Sequence, residues 1–211
     1  MKDSNQNLGE PRPYHHGDLY RSLVTSAERL LEERGVGGVS LREVCQCAGV
    51  SHAAPYRHFR DKAALMEAVA QAGFEQLGEM LRSARKRSPG DPLGQLRDAG
   101  IAYVMWATDN PERTRLMFGG MMKSDAIDDD LRRTADEAYA EIYRIIDEGR
   151  REGAFSGPDT DSVVLASWAA VHGLTMLILG SGKLTPESAG EIRSLASRVC
   201  DTILAGVRAP N

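Results

Sequence analysis

"SLREVCQCAGVSHAAPYRHFRDKAAL", residues 40–65, decides how the rest of the chain is read. Ser40 stands three residues before Glu43, a capping box in which the hydroxyl accepts from the Glu43 N–H while the carboxylate reaches back, so a helix opens over 41–48. "AGVS" then makes a tight glycine turn. Residues 52–58 scan as a second short helix with Ser51 as its cap. Pro55 is the fourth residue of that helix. It has no N–H for the Ser51 carbonyl and crowds it, so the first turn is expected to loosen or to tighten into a 3-10 turn. Two short helices across a glycine turn, the second rich in hydrogen-bond donors, have the form of a helix-turn-helix. Val44, Ala48, Val50, Pro55 and Phe59 can converge on a small core with Leu23, Ala27 and Leu30. His52, Ala53, Tyr56, Arg57 and Arg60 then fall on the opposite face, because 52 with 56 and 53 with 57 lie one turn apart.

Outward from this stretch the punctuation stays helical. Asp91-Pro92, Asn110-Pro111 and Thr185-Pro186 each set a capping side chain before a proline, which at a first helical position lacks only an N–H that would go unused. Apolar residues recur at three and four, as in Leu19, Leu23, Leu30 and Leu31 or Ile142, Ile145 and Ile146, and no stretch alternates as a strand. The expectation is an all-α chain of nine helices near 17–34, 41–48, 52–58, 61–86, 92–108, 111–121, 128–151, 160–180 and 186–206. Residues 1–62 make a polar arm and a small head, and residues 63–211 make a larger helical body, the fourth helix being common to both. The acidic "KSDAIDDD" reads as a solvated loop or helix start.

Composition sets the outer limits. With 211 residues, 42% hydrophobic and 27% charged, the chain can bury a sizeable core. Its net charge of -4 is unevenly spread: residues 1–62 carry nine Lys and Arg against eight Asp and Glu, the remainder seventeen against twenty-two. Four of the five histidines precede residue 63. Any polyanionic partner should therefore meet the amino-terminal segment. Three cysteines form no disulfide framework and point to a reducing, cytoplasmic setting. The polar start "MKDSNQNLGEPRP" lacks the apolar core of a signal peptide.

Residues 40–65 resemble the DNA-binding domain of the TetR family of bacterial transcriptional regulators, whose signature is a glycine turn followed by Tyr-x-His-Phe and a lysine. Gly49, Val50, Tyr56, His58, Phe59 and Lys62 match in order and spacing; Pro55 departs from it, where the family usually has leucine. The resemblance covers residues 17–65, and "SWAAVHGL" looks like the Trp-His-Gly element of one subgroup's carboxy-terminal domain. It implies that His52, Ala53, Tyr56 and Arg57 approach base edges or neighbouring phosphates. Histidine or arginine can donate to guanine N7 and O6, and an alanine methyl suits that of thymine. Ser40, Arg42, Tyr56, His58 and Lys62 would hold phosphates. Tyr14, His15 and His16 would lie along the backbone or enter the minor groove.

The body should supply a ligand site and a dimer interface. Residues 103–122 gather four methionines with Tyr103, Trp106 and Phe118, side chains that adapt to irregular apolar shapes. An apolar pocket for a small apolar or aromatic effector is expected among Tyr103, Trp106, Phe118, Met121, Tyr139, Tyr143, Trp168 and His172, although core packing explains most of them equally well. His172 either orients a ligand or pairs with a backbone carbonyl or Trp168. Residues 162–182 carry no charge and are long enough to span a bilayer. Ser167, His172, Gly173 and Thr175 interrupt that run and no basic cluster flanks it, so burial against a second copy is the preferred account. Two heads would then stand about one DNA turn apart, roughly 34–36 Å, over a palindromic operator of double-stranded DNA.

Other classes fare worse. No nucleophile elbow, phosphate-binding glycine loop or spaced carboxylate pair marks an enzyme. "HHGD" at 15–18 offers adjacent histidines that diverge, His52 and His58 are six apart, and Cys45 and Cys47 point roughly 200° apart on a helix. Neither a metal nor a cofactor is expected. An enzyme with an unrecognised site and a membrane-anchored sensor remain the alternatives.

Overall fold

A computed structural model describes residues 16–119, 128–157, 159–180, 182 and 184–209. Its α-helices are α1 (His16–Arg34), α2 (Leu41–Ala48), α3 (Lys62–Arg87), α4 (Pro92–Asp109), α5 (Pro111–Phe118), α6 (Asp129–Arg151), α7 (Thr160–Gly180) and α8 (Ala189–Val207). Among the described residues there is no strand, only an isolated bridge between Phe155 and Arg208 that pins the end of α8 to the turn after α6.

Among the described residues eight α-helices stand in place of the expected nine, because residues 52–58 do not form one. The segment is turn followed by a 3-10 helix at Pro55–Arg57, with Ala54 N–H on the Ser51 carbonyl at 3.0 Å and His58 N–H on the Pro55 carbonyl at 2.9 Å. A proline at 55 withholds the donor that an α-turn would need there, and the effect reaches further than the first turn.

Capping sets most of the other boundaries. Ser40 Oγ accepts from Glu43 N–H at 3.3 Å and donates to the Glu43 carboxylate at 2.7 Å. Asp91 accepts from Gly94 N–H at 2.9 Å, as its place before Pro92 predicts. Thr185-Pro186, however, starts no helix. Ser188 caps α8 by accepting from Glu191 N–H at 3.2 Å, while the Glu191 carboxylate takes the Glu187 N–H at 3.0 Å. Asn110 instead closes the helix before it, its amide donating to the Trp106 carbonyl at 2.8 Å.

The first turn of α5 is capped from a distance. Glu32 of α1 accepts the N–H groups of Glu112 at 3.1 Å and Arg113 at 2.9 Å. Beside it the Arg113 side chain, only 8% exposed, pairs with Glu28 at 3.4 Å and donates to Gln76 at 2.8 Å. Burial pushes the Glu28 carboxyl up from its ordinary range, against the opposing pull of Arg113. A polar joint thus ties the first helix of the head to α3 and α5 of the body.

One continuous apolar core runs from Leu19, Leu23, Ala27, Val44 and Phe59 through Leu65, Val69 and Leu77 of α3 to Val104, Ile145, Ile146 and Val164. Helix α3 belongs to both parts, packing on α1 and on α4 and α6. Within the body α4 lies against α7 and α8, and α6 closes the other side of α3. Helix α7 is long and apolar enough to span a bilayer, and about a third of that apolar stretch is buried by its own chain.

Candidate functional site

The head presents a short edge of donors over a closed core. Gly49 takes the left-handed conformation, φ 67°, and its N–H returns to the carbonyls of Cys45 and Gln46, which ends α2 and reverses the chain. After that turn Pro55 and Phe59 face inward and are buried, with the Phe59 ring 5.2 Å from that of Tyr20. His52, Ala53, Tyr56, Arg57 and Arg60 face solvent as the sequence predicts, although they do so from turn and 3-10 geometry. Tyr56 is 63% exposed, an aromatic ring that the fold leaves uncovered.

The residues expected to hold phosphates divide into two sets. Arg42 and Tyr56 are exposed. Ser40 is engaged with Glu43, and the half-buried Lys62 donates to the Val36 carbonyl at 2.6 Å, bracing the start of α3 on the turn before α2. His58 is half-buried, its ring 5.9 Å from Tyr20 and its Nε2 enclosed without a partner. The attachments of Lys62 and His58 depend on contacts far apart in the chain, and the local pattern carries no sign of them. His16 begins α1; Tyr14 and His15 lie outside the described residues.

In the body, a narrow, partly open apolar cavity lies between α3, α4, α6, α7 and α8. Leu81, Leu96, Ala99, Gly100, Ile142, Val171, Ile203 and Leu204 form its wall with Tyr103, Trp168, Arg97, Ser167 and Cys200. A second narrow space adjoins it across Leu81, Ile142 and Trp168, and there Phe74, Phe118 and Tyr139 line the wall. The expected pocket residues Tyr103, Phe118, Tyr139 and Trp168 thus reach one space or the other. Trp106, Tyr143 and His172 line neither, and Met121 lies outside the described residues. Tyr143 instead donates to Asp161 at 2.9 Å.

His172 belongs to the wall's second layer. Its Nδ1 shares a hydrogen bond of 2.8 Å with the Tyr103 hydroxyl, and its ring stacks on Trp168 with centroids 5.1 Å apart and planes at 15°. Burial raises the Tyr103 phenol and lowers the His172 imidazole from its ordinary 6.5. The folded state therefore binds the histidine proton less readily than the unfolded chain. Stability from this group is complete above about 6.5 and declines as the pH falls below it. Melting curves at pH 7 and pH 5 should show a larger fall for the natural chain than for His172→Gln; parallel falls would remove the imidazole from the account.

The sequence profile described as "Bacterial regulatory proteins, tetR family" matches residues 23–69, and "Tetracyclin repressor-like, C-terminal domain" matches residues 96–204, about half the chain. The chain belongs to the TetR family. TetR-family proteins are DNA-binding transcriptional regulators and not enzymes. Among curated relatives, the "HTH-type transcriptional regulator AcrR" of Shigella flexneri is 36% identical over 95 residues, 45% of this chain and 44% of the relative. That alignment spans less than half of either protein. The "HTH-type transcriptional repressor BepR" of Brucella suis is 26% identical over 203 residues, covering 90% and 91% of the two chains. A solved structure, of a protein of unknown function from Rhodococcus sp. RHA1, is 32% identical with a TM-score of 0.82, covering 94% of this chain and all of that one. The TetR arrangement of head and body thus extends across nearly the whole molecule.

Proposed function

We propose that this TetR-family chain is a cytoplasmic repressor that binds a palindromic operator as a homodimer and releases it when a small apolar molecule enters the body. The observation that carries this reading is the exposed Tyr56 and Arg57 edge, seated on the buried Pro55 and Phe59. In the proposal, residues 1–62 serve DNA and residues 63–211 serve effector and dimer. His52, Ala53, Tyr56 and Arg57 meet base edges or the adjacent backbone, and Arg42 and Tyr56 hold phosphates. Lys62 joins them with the donors not used by Val36, whereas Ser40 and His58 hold the edge in place before they touch DNA.

The dimer reading rests on α7. Leu165, Ala169, Gly173 and Met176 follow one another at three or four residues, and Leu165 is 63% exposed. A second copy would cover this strip together with α8, in the manner of a four-helix interface. The packing of α7 on α4, α6 and α8 supports a soluble account of its apolar sequence. Fragments of the source genome selected on the purified chain should contain an inverted repeat. On that repeat Tyr56→Ala and Arg57→Ala should each weaken binding by about 1–3 kcal/mol, roughly five- to hundred-fold. Binding should also fall steeply as salt rises. Affinity unchanged in both variants would place the DNA contacts elsewhere.

A further inference from the structure

The cavity that Tyr103 and Trp168 line carries a chemical preference that its polar atoms disclose. Arg97 brings the guanidinium on its wall, and Asp201 claims it at 2.6 and 3.4 Å. The Tyr103 hydroxyl is held by His172. Burial pushes the Cys200 thiol up to about 11, so it stays protonated and uncharged at neutral pH.

Ser167 differs from all of these. It is 7% exposed, it lines the cavity, and its Oγ is buried without a hydrogen-bond partner. Thr108, Thr134 and Thr175 lie in comparable helix interiors, and each returns its hydroxyl to the carbonyl four residues back, at 2.9, 2.8 and 2.9 Å. A buried hydroxyl left unmatched is unfavourable, a deficit that a ligand oxygen can remove. Around it Leu81, Leu96, Ile142, Val171, Ile203 and Leu204 offer only hydrocarbon.

We propose that this cavity binds an uncharged, largely hydrocarbon molecule with a single oxygen that accepts a hydrogen bond from Ser167. The proposal rests on the effector reading above and names the effector's class: a neutral ketone or alcohol. Carboxylates find the arginine already neutralised by Asp201. Cations find no unpaired carboxylate on the wall. Gly100 lets α4 pack closely on α7 and α8 at this wall, since a Cβ there would stand 2.7 Å from Cys200 Sγ and 3.2 Å from Val171.

The test uses the full-length chain and methyl ketones from 2-hexanone to 2-decanone, each compared with the carboxylate and the primary amine of equal length. Binding is read from tryptophan fluorescence, because Trp168 stands in the wall. At least one ketone should bind ten-fold or more tightly than its charged counterparts. Ser167→Ala should weaken that ketone about five-fold while raising the melting temperature of the ligand-free chain, since it removes the unmatched hydroxyl. Carboxylate or amine binding equal to that of the ketone overturns the proposal, as does full ketone affinity in Ser167→Ala or no ketone binding at all. Operator binding measured in parallel separates the two readings. A ketone that binds through Ser167 yet leaves operator affinity unchanged upholds the site and removes its role in release.

Discussion

Leu165→Glu is expected to yield a folded monomer that binds a single half-site and loses 100-fold or more in affinity for the complete operator. Leu165 is 63% exposed on α7, in a helix whose sequence after Asp161 carries no charge. A carboxylate placed there would have to lose water wherever a second copy covers it, and each two-fold contact would bring two of them together. The monomer itself gives up little, because the side chain touches solvent within its own chain. DNA binding suffers through linkage. Joining two heads makes the second contact intramolecular, which multiplies affinity by about 10²–10⁴. Sedimentation velocity read beside gel-shift titration would check this; a Leu165→Glu chain that remains a dimer moves the interface off α7.

The second large effect concerns stability. Glu28→Ala should lower the free energy of unfolding by about 3 kcal/mol, read from urea titration. Arg113 is 8% exposed and Glu28 15%, so removing the acid leaves a guanidinium enclosed without its charge partner. Gln76 supplies one acceptor and cannot replace the charge. Glu28→Leu combined with Arg113→Leu should recover most of the loss, because two apolar groups of similar volume need no pairing. Equal loss in the single and double variants would show that packing, and not charge, holds α1 to α5. Glu32 stays in place in both and keeps its two backbone donors.

Much of the head was legible because its signals are local. Ser40 with Glu43, Gly49, and the division between Pro55 with Phe59 and Tyr56 with Arg57 all follow from spacing within a dozen residues. Even the exposed face survived the loss of the helix meant to carry it, since 3-10 turns also separate residues 55 and 59 from 56 and 57. The local pattern lets Pro55 disturb one turn, whereas no α-helix forms over 52–58 and a single 3-10 turn takes its place. At α8 a proline after a threonine resembled a start, and the Ser188 box three residues later prevailed because it satisfies two backbone donors. The cavity was legible only in part. Aromatic residues drew attention, but Leu96, Ile142, Val171 and Leu204 are indistinguishable by type from any core residue, and only the packing of α4, α7 and α8 turns them toward an opening. Ser167 gave no signal at all, because an unmatched hydroxyl is a property of its surroundings.

Helix α5 does not cap itself: the Glu32 carboxylate that holds the amides of Glu112 and Arg113 comes from α1. Those two protons are therefore shielded only while the head rests on the body, and their exchange with deuterium becomes a clock for how often it lifts away. The helix that ends at Phe118, beside the second space, thus begins in the grip of the first helix of the head.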